Sequence, residues 1–132
     1  MAKILIVDDN AMIREVLRIV LEGASHTVED AEDGDVALSR DLAGFDLVIT
    51  DLFMPRVPGF DVIKAAVAAG IPTVAVSGGD RYSGEDPLVT AIGLGASLAL
   101  RKPFGAAQLV QGVRDCLGGT LPEARVIEYV RV

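Results

Sequence analysis

Three acids, a hydroxyl and a lysine carry the chemistry open to this sequence. Asp8 and Asp9 follow the apolar run Ile4-Leu5-Ile6-Val7, Asp51 closes Leu47-Val48-Ile49-Thr50, Ser77 closes Val74-Ala75-Val76, and Lys102 follows Leu98-Ala99-Leu100-Arg101. Each group stands at the end of a short apolar run of the kind that forms a buried parallel strand. Ligands of open α/β sheets bind in the crevice outside the carboxyl ends of the strands, so the five side chains are expected to converge there. Carboxylates crowded together raise one another's pKa unless a cation compensates. Oxygen-only ligands favour Mg²⁺ over Zn²⁺, which would want His or Cys nearby. The sole histidine, His26, falls between the first helix and the second strand and reads as a surface residue. A carboxylate can attack phosphorus to give an aspartyl phosphate, with a metal ion and an ammonium neutralising the phosphoryl oxygens. In that chemistry Asp51 is the nucleophile, Lys102 the fixed cation and Ser77 a hydroxyl donor, while the small Gly78 lets backbone N–H groups approach.

The elements that must position these groups alternate between strand and helix. Lys3 to Val7 reads as a strand, followed by a helix whose apolar positions Ile13, Val16, Leu17, Val20 and Leu21 recur at helical spacing, capped by Asp9 or Asn10 and closed near Gly23. Thr27 to Ala31 is an acid-bearing edge strand, and Asp33-Gly34 opens a short helix through Ala37, Leu38 and Leu42. The Asp46 to Asp51 strand leads through a Pro55 to Gly59 loop into a helix reaching Gly70. Ile71 to Val76 is the fourth strand, Asp80 to Asp86 a polar loop, and Pro87 to Gly95 a helix. Ser97 to Leu100 is the fifth strand, and Ala107, Leu109, Val110, Val113 and Leu117 pattern a last helix that ends at Gly118-Gly119. Five such units imply an α/β fold: a five-stranded, parallel, doubly wound sheet with five helices and right-handed crossovers. Residues 1–119 then form one domain. Residues 120–132 are an arm too apolar for a free tail, read as an additional strand or a segment packed on a partner.

Composition narrows the function classes. A chain of 132 residues, 51% hydrophobic and without Trp, suits a single aliphatic core. Its formal charge of −7, from 19 acidic and 12 basic residues, opposes a broad footprint on nucleic acid or anionic lipid. Cys116 is the only cysteine, so it reads as a small buried hydrophobe and no intrachain disulfide is available. The first apolar run is too short for a signal-peptide core or a membrane span, which makes a cytoplasmic location the expectation. No glycine-rich loop follows the first strand, against nucleotide binding, and no His-supported nucleophile exists, against hydrolysis.

The stretches I-L-I-V-D-D, T-D-L-F-M-P with Gly59 after it, V-S-G, and G-A-S-L-A-L-R-K-P-F stand in order across residues 3 to 118. Together they resemble the receiver domain of two-component response regulators, including the single-domain chemotaxis type. The resemblance implies a flavodoxin-like strand order 2-1-3-4-5. It also implies that Asp51 accepts a phosphoryl group from a phosphohistidine on a sensor histidine kinase or phosphotransfer protein, in a phosphorelay. Such a protein is no enzyme beyond promoting its own phosphorylation and dephosphorylation. Asp9, Asp51 and the Phe53 backbone carbonyl would bind Mg²⁺ directly, with Asp8 acting largely through water. The phosphoryl group would draw the Ser77 hydroxyl inward and shift the surface around the fourth helix and fifth strand toward a state read by a downstream protein.

The sequence also departs from that pattern. Ala99 stands three residues before the lysine, where receivers commonly carry the Tyr or Phe of an aromatic switch, so output must use backbone movement, the Asp80 to Asp86 loop or a changed dimer surface. Pro58 stiffens the loop beside the site, and Phe53 and Gly79 occupy positions that tune access of water to the phosphoaspartate. With no second domain recognised after Gly119, the expectation is a stand-alone receiver that signals to proteins, a second copy of the chain among them, without touching nucleic acid directly or inserting in a membrane. The alternative is a phosphorylation-independent, receiver-like adaptor, which Ala99 favours and the intact acids, Ser77 and Lys102 oppose.

Overall fold

A computed structural model describes residues 1–78 and 86–118, together with the backbone of residues 125–128. Gly79, most of the predicted polar loop and the remainder of the C-terminal arm lie outside the described residues. The elements in chain order are β1 (Lys3–Val7), α1 (Ala11–Gly23), β2 (Thr27–Ala31), α2 (Gly34–Leu38), a 3₁₀ turn (Leu42–Gly44), β3 (Leu47–Asp51), α3 (Gly59–Ala68), β4 (Thr73–Ser77), α4 (Pro87–Gly93), β5 (Leu98–Arg101), α5 (Ala106–Gly118) and β6 (Arg125–Glu128).

Alternation along each strand sends side chains to opposite faces and so makes two helical layers. In β1, Ile4 and Ile6 join Leu17 and Leu21 of α1 and Leu109, Val113 and Cys116 of α5. Leu5 and Val7 face the other way, toward Ala37 of α2 and Val62 and Ala66 of α3. A further cluster of Leu52, Ile63, Ala75, Leu88, Ala91, Ala96 and Ala99 seats α4 on that second face. Small side chains dominate there, so α4 packs close to the sheet. Strands buried on both faces are near-continuous apolar runs, as β1, β3 and β4 are.

The sheet is parallel throughout, in the order β2-β1-β3-β4-β5-β6. Strands β1 to β5 therefore stand in the order 2-1-3-4-5 that the resemblance implies. β6 pairs with the outer edge of β5, from Leu98 beside Arg125 to Arg101 beside Glu128.

Local signals explain the helix starts. Asn10 caps α1 by accepting the N–H groups of Met12 and Ile13, Asp33 caps α2 through Val36, and Asp86 caps α4 through Leu88. Pro58 occupies the corresponding position before α3 and offers no side-chain cap. α4 stops at Gly93 rather than Gly95 because the chain turns through Gly95 at φ +111°, and the Ser97 N–H donates to the Thr73 carbonyl just before β5 begins. In α1, Val16 leaves the core face expected of it: Met12, Val16 and Ile19 form an exposed apolar stripe, and Leu17 and Leu21 do the packing. Among the described residues no helix is long and apolar enough to cross a membrane.

Candidate functional site

Register builds the site. β1 lies between β2 and β3, with Val7 opposite Ala31 and Thr50, while Asp51 at the end of β3 lies opposite Val76, and Ser77 lies opposite Arg101. The residues after these strands thus share one edge of the sheet. Ligand oxygens of Asp8, Asp9 and Asp51 all fall within 4.8 Å of one another. Lys102 completes the group, its Nζ 3.6 Å from Asp8 Oδ2 and 3.8 Å from Asp51 Oδ1.

Backbone bonds fix the same edge. The Lys102 N–H donates to the Ser77 carbonyl at 2.8 Å, and the Asp8 N–H donates to the Ala31 carbonyl. The Lys102-Pro103 peptide bond is cis. The Arg14 guanidinium donates to the Asp8 carbonyl at 2.7 Å and pairs with Asp30, pinning the turn after β1 from α1. Capping falls to Asn10, which frees Asp9 from that duty; Asp8 instead accepts the Asn10 N–H through Oδ1 and is buried, whereas Asp9 is exposed at the rim.

Gly59 brings α3 back against Asp51. A Cβ there would lie 1.9 Å from the Asp51 carbonyl oxygen, so only glycine fits, and the Gly59 N–H donates to the Leu52 carbonyl at 2.9 Å. The intervening loop carries Phe53, which is exposed and meets Phe60 edge-on at 6.1 Å between ring centroids. Its tip is tied down elsewhere: Arg56 pairs with Asp33 and Asp35, and Val57 covers Gly34.

The electrostatics answer to burial. Desolvation pushes the Asp51 carboxyl up to about 6; the Lys102 ammonium and the Leu52 N–H oppose the rise, and the charges of Asp8 and Asp9 add to it. Hard oxygen donors, crowded and partly desolvated, suit a small divalent cation, and its charge would reverse that rise. Ser77 is buried, and its Oγ has no hydrogen-bond partner among the described residues. A buried hydroxyl left unpaired is costly, and it is available to an incoming anionic oxygen.

All five chemistry-bearing side chains chosen from the sequence stand at this edge. Others were not foreseen in their roles. Arg101 is 14% exposed and paired with Asp86, the cap of α4. Arg14 and Arg56 carried no sequence signal, because their partners come from other strands and turns. His26 is half-buried at the opposite edge, where its Nδ1 accepts the Ala2 N–H. Ala99 is fully buried under α4, so the aromatic-switch position is filled by helix packing.

The model of the response regulator receiver domain matches residues 4–114. An alkaline phosphatase synthesis transcriptional regulatory protein of Synechococcus elongatus is 34% identical over 128 residues, covering 88% of this chain and 49% of the relative. The chain spans about half the length of such curated relatives. The chemotaxis response regulator CheY4 of Vibrio cholerae superposes with a TM-score of 0.74 at 30% identity, covering 88% of this chain and 98% of that one. The response regulator TrrA of Thermotoga maritima, solved in complex with Mg²⁺-BeF, matches with a TM-score of 0.75 at 27% identity, over 88% and 99% of the two chains.

Proposed function

Because this chain belongs to the response regulator receiver domain family, a family of phosphoacceptor signalling domains, we propose that it is a response-regulator receiver phosphorylated on Asp51. The observation that carries the reading is the convergence of three carboxylates, one ammonium and a buried, unpaired hydroxyl on one strand-end crevice.

An Asp51 carboxylate oxygen attacks the phosphorus of a phosphohistidine, an O–P bond forms as the P–N bond breaks, and the imidazole leaves with a proton from solvent. Lys102 stands close enough to Asp51 to pair with the transferred phosphoryl oxygens, and the Ser77 hydroxyl donates to another. Asp9, Asp51 and the Phe53 carbonyl would hold Mg²⁺, with Asp8 acting through water. When bound, the ion supplies positive charge that offsets the phosphoryl oxygens and the crowded acids. The domain promotes its own phosphorylation and dephosphorylation and turns over no other substrate.

The donor is a sensor histidine kinase or phosphotransfer protein, and the output is read by a downstream protein. The exposed stripe of Met12, Val16 and Ile19 supports docking of an apolar helix beside the crevice, where Met12 and Val16 share a groove with Lys102, Pro103 and Phe104. A charge of −7 argues against direct contact with nucleic acid, and we place the protein in the cytoplasm with its donor. Ala99 favours a second reading, a phosphorylation-independent adaptor.

The deciding experiment is incubation with a small phosphodonor and Mg²⁺, read by intact mass. One acid-labile phosphoryl group is expected on the wild type and none on Asp51→Asn. Labelling that persists in the variant overturns the assignment, and partner capture that ignores phosphorylation selects the adaptor.

A further inference from the structure

Asp51 is followed by a loop, residues 52–58, that carries Phe53, whose carbonyl is a ligand in the cation site proposed above, and returns the chain to Gly59. Its base is closed by the Gly59 N–H on the Leu52 carbonyl. Leu52 and Met54 pack into the core and Phe53 meets Phe60, while at the tip the Val57 N–H donates to the Pro55 carbonyl in a tight turn. At that turn Arg56 adopts φ +67°, a left-handed conformation unfavourable for a residue with a side chain. Such a conformation persists where the surroundings over-determine it.

The surroundings are the β2–α2 turn. The Arg56 guanidinium pairs with Asp33 and, through Nε at 3.4 Å, with Asp35. Asp33 is itself fixed, buried and accepting the Val36 N–H at the start of α2. Beside the ion pair the loop touches backbone: a Cβ on Gly34 would lie 2.6 Å from Val57 Cγ1 and 2.7 Å from the Val57 carbonyl oxygen. Arg56 is 67% exposed, so the pair adds little to global stability. Its effect is geometric. A short loop anchored at its base and clamped at its tip has few ways to orient the peptide between.

We propose that Arg56 is a positioning residue: clamped by Asp33 and Asp35, it fixes the 52–58 loop in the shape that presents the Phe53 carbonyl, and thereby sets cation affinity and the phosphorylation rate of Asp51. The proposal rests on the phosphoacceptor reading for its rate prediction and is independent of it for cation affinity and loop order.

The test uses the full chain carrying Arg56→Gln, Arg56→Lys, Arg56→Gly or Asp33→Asn, the last keeping an acceptor for the Val36 N–H. Mg²⁺ affinity is measured by calorimetry, exchange of the loop amides by hydrogen–deuterium exchange without metal, and rate with a small phosphodonor. Arg56→Gln is expected to lose roughly tenfold in Mg²⁺ affinity, at the lower end for outer-shell partners, and to speed loop exchange while the urea midpoint barely moves. Lys should recover part of the loss. Arg56→Gly accepts positive φ freely, so it should lose affinity as Gln does; a Gly variant equal to wild type would show that backbone handedness alone suffices and overturn the proposal. Combining Arg56→Gln with Asp33→Asn should cost no more than the worse single change, whereas additive losses would deny the clamp. Wild-type protein that binds Mg²⁺ but takes no phosphoryl group would defeat the phosphoacceptor reading and leave the clamp to be judged by affinity and exchange.

Discussion

In the proposed role Asp51 has to be both buried enough to be shaped and charged enough to attack. Burial raises its carboxyl from the ordinary 3.8 to about 6, so between about pH 4 and 6 the unfolded chain releases a proton that the metal-free folded chain retains. Stability therefore falls as pH rises through that window and stays lower above it. The full shift corresponds to about 3 kcal/mol, and partial solvent screening reduces it to on the order of 1–2 kcal/mol. In EDTA at pH 7, Asp51→Asn should raise Tm by several degrees, and near pH 4, where the wild-type carboxyl is already neutral, the difference should vanish. Equal melting at both pH values would deny that burial strains this carboxylate. The same proton competes with a cation, so Mg²⁺ affinity should drop as pH falls below about 6, which calorimetry at pH 5 and 7.5 measures. The five site residues were legible because each follows an apolar run, and a strand end is a position that sequence can mark. Arg101 was not, since burial against Asp86 depends on where α4 lands and no local spacing encodes that.

Turns decide how the elements meet the site. Gly59→Ala would drive a methyl into the Asp51 carbonyl, and with backbone on both sides neither partner can yield cheaply. A loss of about 2–3 kcal/mol or more is expected in urea unfolding, together with loss of Mg²⁺ binding; a folded variant of unchanged affinity would contradict the close approach. Asn10→Ala removes the cap of α1 and should cost about 1 kcal/mol while leaving phosphorylation by a small donor intact, because Asn10 holds the helix and Asp8 and Asp9 stay in place. Element existence was readable from period and punctuation. The exposed face of α1 was not: Ile13, Val16, Leu17, Val20 and Leu21 repeat like a core stripe, yet the sheet and α5 cover only part of that arc.

For the whole molecule, the layered sheet sets what can be reached from outside. On the proposed docking of the donor across α1, Val16→Ser with Ile19→Ser should slow transfer from a cognate kinase by roughly tenfold, about 1.4 kcal/mol of lost docking, while the rate with a small phosphodonor stays unchanged. Equal slowing with both donors would place the fault in the site itself. The five-unit α/β architecture was legible because periodicity and strand-end chemistry agreed along the chain. The pairing of residues 125–128 with β5 was beyond reach, since an apolar segment outside the repeat carries no address. That pairing has a practical corollary. β6 runs parallel to β5, so its last residue, Glu128, sits level with Arg101, one residue before Lys102, whereas β1 begins at the far side of the sheet. A fluorophore or affinity handle attached at position 128 would report from, or crowd, the strand-end rim, and one joined ahead of Lys3 would leave it clear.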